Sequence, residues 1–217
     1  MENDVKEFLS ELLKQLKSID YIKPEDIPNI DLYMDQVTTF MDEQLAASKR
    51  YESDKILTKT MINNYAKNNL LPSPDKKKYS KEHVLTLLFI YYFKNILSIN
   101  DIRSILNPLT EKYFGNDDGF TMQDVYTEVF SLEAEESQKL LKDLGKKYKI
   151  AGETFEDFPA EDQKFLHTFS FICMLSFDVY IKKMLIERMI DNLNEEKAAS
   201  SHENTHSGKE SKKTGSN

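Results

Sequence analysis

The chain has 217 residues and a net charge of -8, with 37 acidic against 29 basic side chains and a pI near 5.2. One cysteine, Cys173, excludes an internal disulfide framework and suits a reducing compartment. Six glycines, six prolines and long apolar runs at helical spacing point to an all-α protein with room for one or two cores.

The N-terminus, MENDVKEF, is acidic where a secretory signal needs positive charge and then an apolar run. The richest apolar run, Phe165 to Ile181, contains His167 and Asp178 and falls short of a membrane span of about 20 apolar residues. A soluble cytoplasmic protein is expected.

In chain order, Glu2 to Ser18 carries Val5, Phe8, Leu9, Leu12, Leu13 and Leu16 at helical spacing, which predicts an amphipathic helix ended by Pro24 and Pro28. Asn29 is placed to cap a helix from Ile30 to Leu45 with one apolar stripe through Tyr33, Met34, Val37, Phe40 and Met41. Thr58 caps the next helix, with Leu57 positioned to staple to Ile62. On that helix Met61, Ile62 and Tyr65 face the core, which turns Thr60, Asn63, Asn64 and Lys67 outward. Leu70 and Leu71 then lead into a short hairpin, its turn at Pro72-Ser73-Pro74-Asp75 and its return arm at Lys76 to Tyr79.

Ser80 caps a helix from Val84 to Leu97 that is apolar nearly all round and therefore buried. Ser98 and Asp101 start a short helix through Ile102, Ile105 and Leu106, closed by Pro108. From Thr121 the pattern resumes through Val125, Val129, Leu132, Leu140, Leu141 and Leu144, with Gly145 near its end. Ala160 to Leu193 reads as one helix of roughly 50 Å at 1.5 Å per residue. Its Phe165, Phe169, Ile172, Leu175, Val179, Met184, Leu185 and Met189 suit contact with a partner subunit in a homodimer, or more simply the closure of the core of their own subunit. Asn194 to Asn217 has no aromatic or branched aliphatic side chain and is expected to be disordered.

These readings divide the chain into an N-terminal helix and linker at 1–28, a head at 29–109, a helical dimerisation or sensing region at 110–193, and a tail at 194–217.

The chemistry concentrates between Thr58 and His83, where six lysines stand against Asp75 and Glu82 for a local balance of +4. The remainder of the chain sums to -12, so a basic island sits in an acidic protein, as a phosphate footprint requires. Asparagine amides can donate to and accept from adenine together, which marks Asn63 and Asn64 for base reading. The lysines can neutralise phosphate and release counterions. The bland reading of such a run is a solvated loop.

The order from Thr58 to Leu106, a helix, two leucines, a proline-rich wing, a basic triplet with Tyr79 and a long apolar helix, resembles the winged helix-turn-helix head of MerR-type bacterial transcription regulators. The run TKTMINNYAKNNLLPSPDKKKYSKEH, with IDLYMDQV before it, is more closely similar to a bacterial family known as a domain of unknown function, numbered eighteen thirty-six. In MerR-type proteins the groove helix carries a polar pair before a core tyrosine, and Asn63, Asn64 and Tyr65 hold those places. The resemblance implies that Lys77 and Lys78 act as wing cations, that Tyr79 supports the wing and can meet phosphate, and that the C-terminal helix pairs two subunits. Between the first two helices the chain differs, with a longer stretch from Leu45 to Thr58 that contains Lys49, Arg50 and Tyr51.

Together these give a DNA-binding surface of Thr58, Lys59, Thr60, Asn63, Asn64, Lys67, Lys76, Lys77, Lys78, Tyr79 and Lys81, with double-stranded DNA as partner. The other reading is a helical interaction module whose basic wing meets an acidic protein. Seven aromatics, Tyr113, Phe114, Phe120, Tyr126, Phe130, Phe155 and Phe158, are candidates to line a pocket for an unidentified small-molecule effector. The stretch Phe114–Val125 lacks the terminal carboxylates of a calcium loop, and no histidine or cysteine pair has zinc spacing outside the polar tail. No glycine-rich phosphate loop or nucleophile elbow is present, so neither catalysis nor a cofactor is expected.

Overall fold

A computed structural model describes residues 7, 10, 11, 14, 22–116 and 119–210. The helix expected over Glu2–Ser18 lies outside the described residues except at the first four of these positions, which are helical. Among the described residues the architecture is all-α: seven α-helices and one two-stranded antiparallel sheet. A 3-10 turn at Pro24–Asp26 precedes β1 (Leu32–Tyr33) and α1 (Met34–Gln44), and a second, Ala46–Ser48, follows. Then come α2 (Lys59–Lys67), β2 (Lys78–Tyr79), α3 (Lys81–Phe93), α4 (Ile99–Tyr113), α5 (Met122–Ser131), α6 (Glu133–Gly152) and α7 (Ala160–Glu210).

The centre is α3, in which every residue from His83 to Tyr91 is buried. A helix with no wet face must be enclosed, and α1, α2, α4 and α5 contribute Val37, Met41, Ile62, Ile102, Leu106, Met122 and Tyr126 to the same core. Around Phe89 the rings of Phe93, Tyr126 and Phe130 lie 5.5–6.2 Å centre to centre. Tyr126 Oη donates to the Ile22 carbonyl at 2.8 Å, which ties the first segment of the core to α5. The core therefore runs from Ile22 to Phe130 without a break at Leu109.

Several local expectations are corrected. Asn29 does not cap a helix from Ile30; residues 32–33 form β1 instead, and α1 begins at Met34 with the Tyr33 N–H donating to Gln36 Oε1 at 2.8 Å. Ile30 and Tyr33 accordingly leave the apolar stripe and face solvent. The return arm of the lysine hairpin pairs with β1 and not with Leu70–Leu71, because both leucines are needed in the core.

Pro108 does not close α4, which continues to Tyr113. The proline has no N–H for the Ser104 carbonyl one turn back, and Lys197 Nζ of α7 donates to that oxygen at 2.9 Å. Half-buried Leu109 and Tyr113 extend the stripe of Ile102 and Leu106 and hold the last turns down. In α5 the buried face is Met122, Tyr126 and Phe130, while Val129 and Leu132 are exposed, because the aromatic cluster at Phe89 takes the larger side chains. Gly145 lies inside α6, which runs on to Gly152.

α6 and α7 pack as an antiparallel hairpin, joined where Lys147 meets both Asp143 and Asp178 and where Tyr148 stacks edge-on to Phe171 at 5.4 Å. His167 Nε2 lies 2.8 Å from the Thr154 carbonyl at the hairpin's closed end. Ile190 then seats in the main core. Helix α7 continues through the polar stretch from Asn194 to Glu210, and residues 211–217 lie outside the described residues.

Tyr126→Phe should lower the melting temperature by several degrees, since the buried Ile22 carbonyl would lose its donor at a cost of about 1–3 kcal/mol. Thermal unfolding followed by circular dichroism checks this.

Candidate nucleic-acid interface

Helix α2 starts as its sequence requires. Thr58 Oγ1 accepts from the Met61 N–H at 3.2 Å, and Leu57 and Ile62 are both buried. Ile62 and Tyr65 then fix the roll of the helix, so Thr60, Asn63, Asn64 and Lys67 stand in solvent. The helix ends in a left-handed residue, Asn69 at φ 56°, with Asn69 N–H donating to the Ala66 carbonyl and Leu70 N–H to the Tyr65 carbonyl at 2.9 Å. That closure turns the chain sharply and drives Leu70 and Leu71 into the core.

The longer stretch before α2 is fastened to the core. Lys94 Nζ donates to the Ile56 carbonyl at 2.6 Å and lies 4.9 Å over the Tyr91 ring, and burial lowers the lysine's pKa. Ser48 hydrogen-bonds Tyr91, and Lys49 pairs with Asp42 at 2.8 Å.

The lysine turn is tight. Lys78 N–H donates to the Asp75 carbonyl at 2.8 Å, with Lys76 at φ 46° and Lys77 at φ 66° between them. Two consecutive positive φ values mark a type I′ hairpin turn, where Asn-Gly is the relaxed choice. Lysine in the left-handed region costs roughly 1 kcal/mol or more at each position. Among the described residues no carboxylate pairs with Lys76, Lys77 or Lys78, and all three are exposed.

β2 anchors this turn. Tyr79 pairs with Leu32 and is buried, whereas Lys78 pairs with Tyr33 on the outer face, its Nζ 5.6 Å from the ring centre. Beneath it His83 is buried between Tyr79 at 5.5 Å and Phe114 at 4.7 Å. His83 Nδ1 accepts from the Ser80 N–H at 3.0 Å, which caps α3 and places the ring proton on Nε2. Desolvation lowers the His83 pKa, outweighing the Ser73 and Pro72 carbonyls and the charge of Asp31, which act in the opposite direction.

The rim between α2 and the turn is the amino end of α1. Tyr33 lies under Lys78, and Asp35, two residues on, forms an ion pair with Lys59. The amino end of α1 therefore meets both the first residue of α2 and the lysine turn. Besides Lys59, three expected contacts are otherwise occupied: Thr58 is spent on its cap, Tyr79 belongs to the core, and half-buried Lys81 donates to Asn29 Oδ1 at 3.2 Å. Tyr33 and Asp35 are part of the edge and were not expected there, since their role follows from a pairing of distant segments.

Two clefts adjoin this surface. One of about 350 Å³ runs along α1 between Leu32 and Phe40 with Asp35 and Glu43 on its rim, so it repels a polyanion. The other, about 200 Å³, lies between Asn69, Ser73 and Thr110. Neither is lined by the seven aromatics considered for an effector pocket. Those residues do not converge: Tyr126 and Phe130 are core, Phe120 is exposed, and Phe155 packs on Phe158 at 5.1 Å. Among the described residues no helix is long and apolar enough to cross a membrane.

Residues 22–129 match the model of a family described as a domain of unknown function (DUF1836), which supports that family resemblance and coincides with the core from Ile22 to Phe130. No curated protein and no solved structure matches the chain.

Two outcomes follow for stability. Lys76→Asn combined with Lys77→Gly should stabilise the fold by roughly 1–2 kcal/mol by relaxing the turn, read as a higher denaturant midpoint. Because the folded state holds His83 neutral and lowers its pKa, its contribution is present above about pH 6.5 and is lost as the pH falls below that value. Melting curves from pH 7.5 to 5 should therefore drop more steeply for the native chain than for His83→Gln.

Proposed function

We propose that this protein is a sequence-specific DNA-binding transcription regulator. Helix α2 lies in the major groove with Asn63 and Asn64 on base edges and Thr60 and Lys67 beside them. The lysine turn lies on the phosphate backbone. The observation that carries this reading is the strained Lys76-Lys77-Lys78 turn, whose lysines pair with no carboxylate among the described residues and which meets the amino end of α1, as Lys59 of α2 does. A turn that sacrifices stability to keep ammonium groups at its tip is accounted for by a polyanionic ligand.

The likeness of Thr58–Leu106 to MerR-type heads supports the same roles for Asn63, Asn64, Lys77 and Lys78. The ion pair of Lys59 with Asp35 is exposed, so it contributes little and is readily exchanged for phosphate. With Tyr79 buried, its part is to support the turn.

Selection of bound duplexes from a random pool should enrich one motif. With Lys81 engaged by Asn29, the slope of log K against log salt should lie between about -4 and -5, and Lys76, Lys77 and Lys78 changed to Glu should remove about 3 from its magnitude. Asn63→Ala with Asn64→Ala should relax sequence preference by about 1–3 kcal/mol per lost base contact and leave the slope unchanged. No enriched motif together with a flat salt dependence would replace this reading with a helical interaction module whose basic turn meets an acidic protein.

A further inference from the structure

Among the described residues four helices open with the same device, in which the side chain three positions after the cap accepts from the cap's own N–H. On α1, α4 and α5 the acceptor is the amide of Gln36 or the carboxylate of Asp101 or Asp124, and bonds from Thr121 hold the Asp124 pKa down. On α3 it is an imidazole. His83 Nδ1 accepts from the Ser80 N–H at 3.0 Å and from the Ser80 hydroxyl at 2.8 Å, and a protonated Nδ1 can accept neither bond. This helix start alone is closed by a side chain of the type that takes up a proton just below neutrality.

The ring has no place for a charge where it lies. It is buried edge-on to Tyr79 and Phe114, and Nε2 has no hydrogen-bond partner among the described residues. The Pro72 and Ser73 carbonyls favour a charge there without completing a bond, and the Phe114 side brings only its ring. The titratable groups around it are Tyr79 of β2, Glu82 of its own helix and Asp31 just before β1. Glu82 already accepts from the Gly115 N–H at 2.7 Å, whereas Asp31 is exposed and its charge favours the protonated ring.

We propose that His83 is an acid-sensitive latch: once protonated, the ring leaves its place between Tyr79 and Phe114 for Asp31, and β2 with the lysine turn is released while the core stays folded. A ladder of two residues is too short to hold itself, so β2 depends on buried Tyr79 and the ring beneath it. Release also relieves the left-handed conformations of Lys76 and Lys77. From Val84 to Tyr91 α3 is enclosed by its neighbours, and those contacts do not need the cap. The latch rests on β2 and α3 and stands whatever the turn binds. Where the turn grips phosphate, as proposed above, acidification lowers the affinity.

Hydrogen exchange of the full chain between pH 7.5 and 5.5, with each amide scaled to its intrinsic rate at that pH, tests the latch. Protection of the Lys78 amide, which donates to the Asp75 carbonyl, should fall about tenfold, the change that one proton taken up near pH 6.5 in the open form allows. The Leu87 and Leu88 amides should keep theirs. His83→Gln retains an acceptor for the Ser80 N–H and should hold Lys78 protected throughout, and Asp31→Asn should move the loss to lower pH. Lys78 protection that is constant with pH, or that falls equally in His83→Gln, overturns the latch. So does an onset unmoved by Asp31→Asn, or a loss of the core amides in step with Lys78, which marks global unfolding.

Discussion

The burial of α3 on every side is the constraint on which the other elements depend. Nine consecutive residues without a wet face leave each neighbour one task, to cover a sector of that helix. α1 and α2 cover one part with Val37, Met41 and Ile62, and α4 and α5 cover another with Ile102, Leu106 and Tyr126. Because these contacts fix the roll of α2, its polar face is a consequence of packing, and no separate force is needed to hold Asn63 and Asn64 in solvent. The same helix positions the lysine turn from below, through Ser80, His83 and the ring of Tyr79. Core and candidate interface are therefore coupled: a change that loosens the α3 cap reaches the turn through one buried histidine.

Much of this was legible in the sequence, and the parts that were not share a cause. Thr58, Ser98 and Thr121 cap helices through bonds to residues three positions on, a relation that a linear reading can see. The buried character of α3 is equally local, since apolar residues all round a helix leave no alternative. β1 was missed because two residues carry no periodicity, and its pairing with β2 is set by a segment more than forty positions away. The continuation of α4 past Pro108 was missed for the same reason, as the donor that satisfies the Ser104 carbonyl comes from Lys197. On α5 the apolar residues span more than one face, and only the ring cluster at Phe89 decides that Tyr126 and Phe130 go inward. Among the candidate site residues, those whose exposure follows from helical phase were legible, whereas Thr58, Tyr79 and Lys81 had competing partners that only the fold reveals.

Charge alone would not single out the head, because the chain is acidic overall and α1 presents Asp35, Asp42 and Glu43 close by. What separates the lysine turn from those carboxylates is backbone geometry. The left-handed conformations at Lys76 and Lys77 reverse the chain within two residues, and the β1 pairing fixes the outer face of Lys78 over Tyr33. At physiological ionic strength charges more than about 8 Å apart are largely screened, so a local arrangement outweighs the net charge of the molecule. The strain in the turn and the sign of its field are two aspects of one feature, since a relaxed Asn-Gly turn would carry neither the cost nor the cations.

The two candidate surfaces differ in how the chain stabilises them. The head surface is polar and sits on a closed core whose limits, Ile22 and Phe130, nearly coincide with the matched family stretch, so its shape is complete within one chain. α6 and α7 add a hairpin in which the inward face is shared with α6 and the outward face carries exposed Phe165, Ile172 and Val179. An amphipathic helix normally has one dry side and one wet side; α7 between Phe165 and Ile186 has apolar residues on two sides, and among the described residues only one side is covered. Length also separates the two parts: α7 continues well beyond the hairpin and reaches the core again at Ile190, so any force on its outer face is transmitted along a continuous helix to α4. Lys197 reinforces that junction at the carbonyl that Pro108 leaves open, which makes the turn before the proline one of the places where the hairpin is fastened to the head.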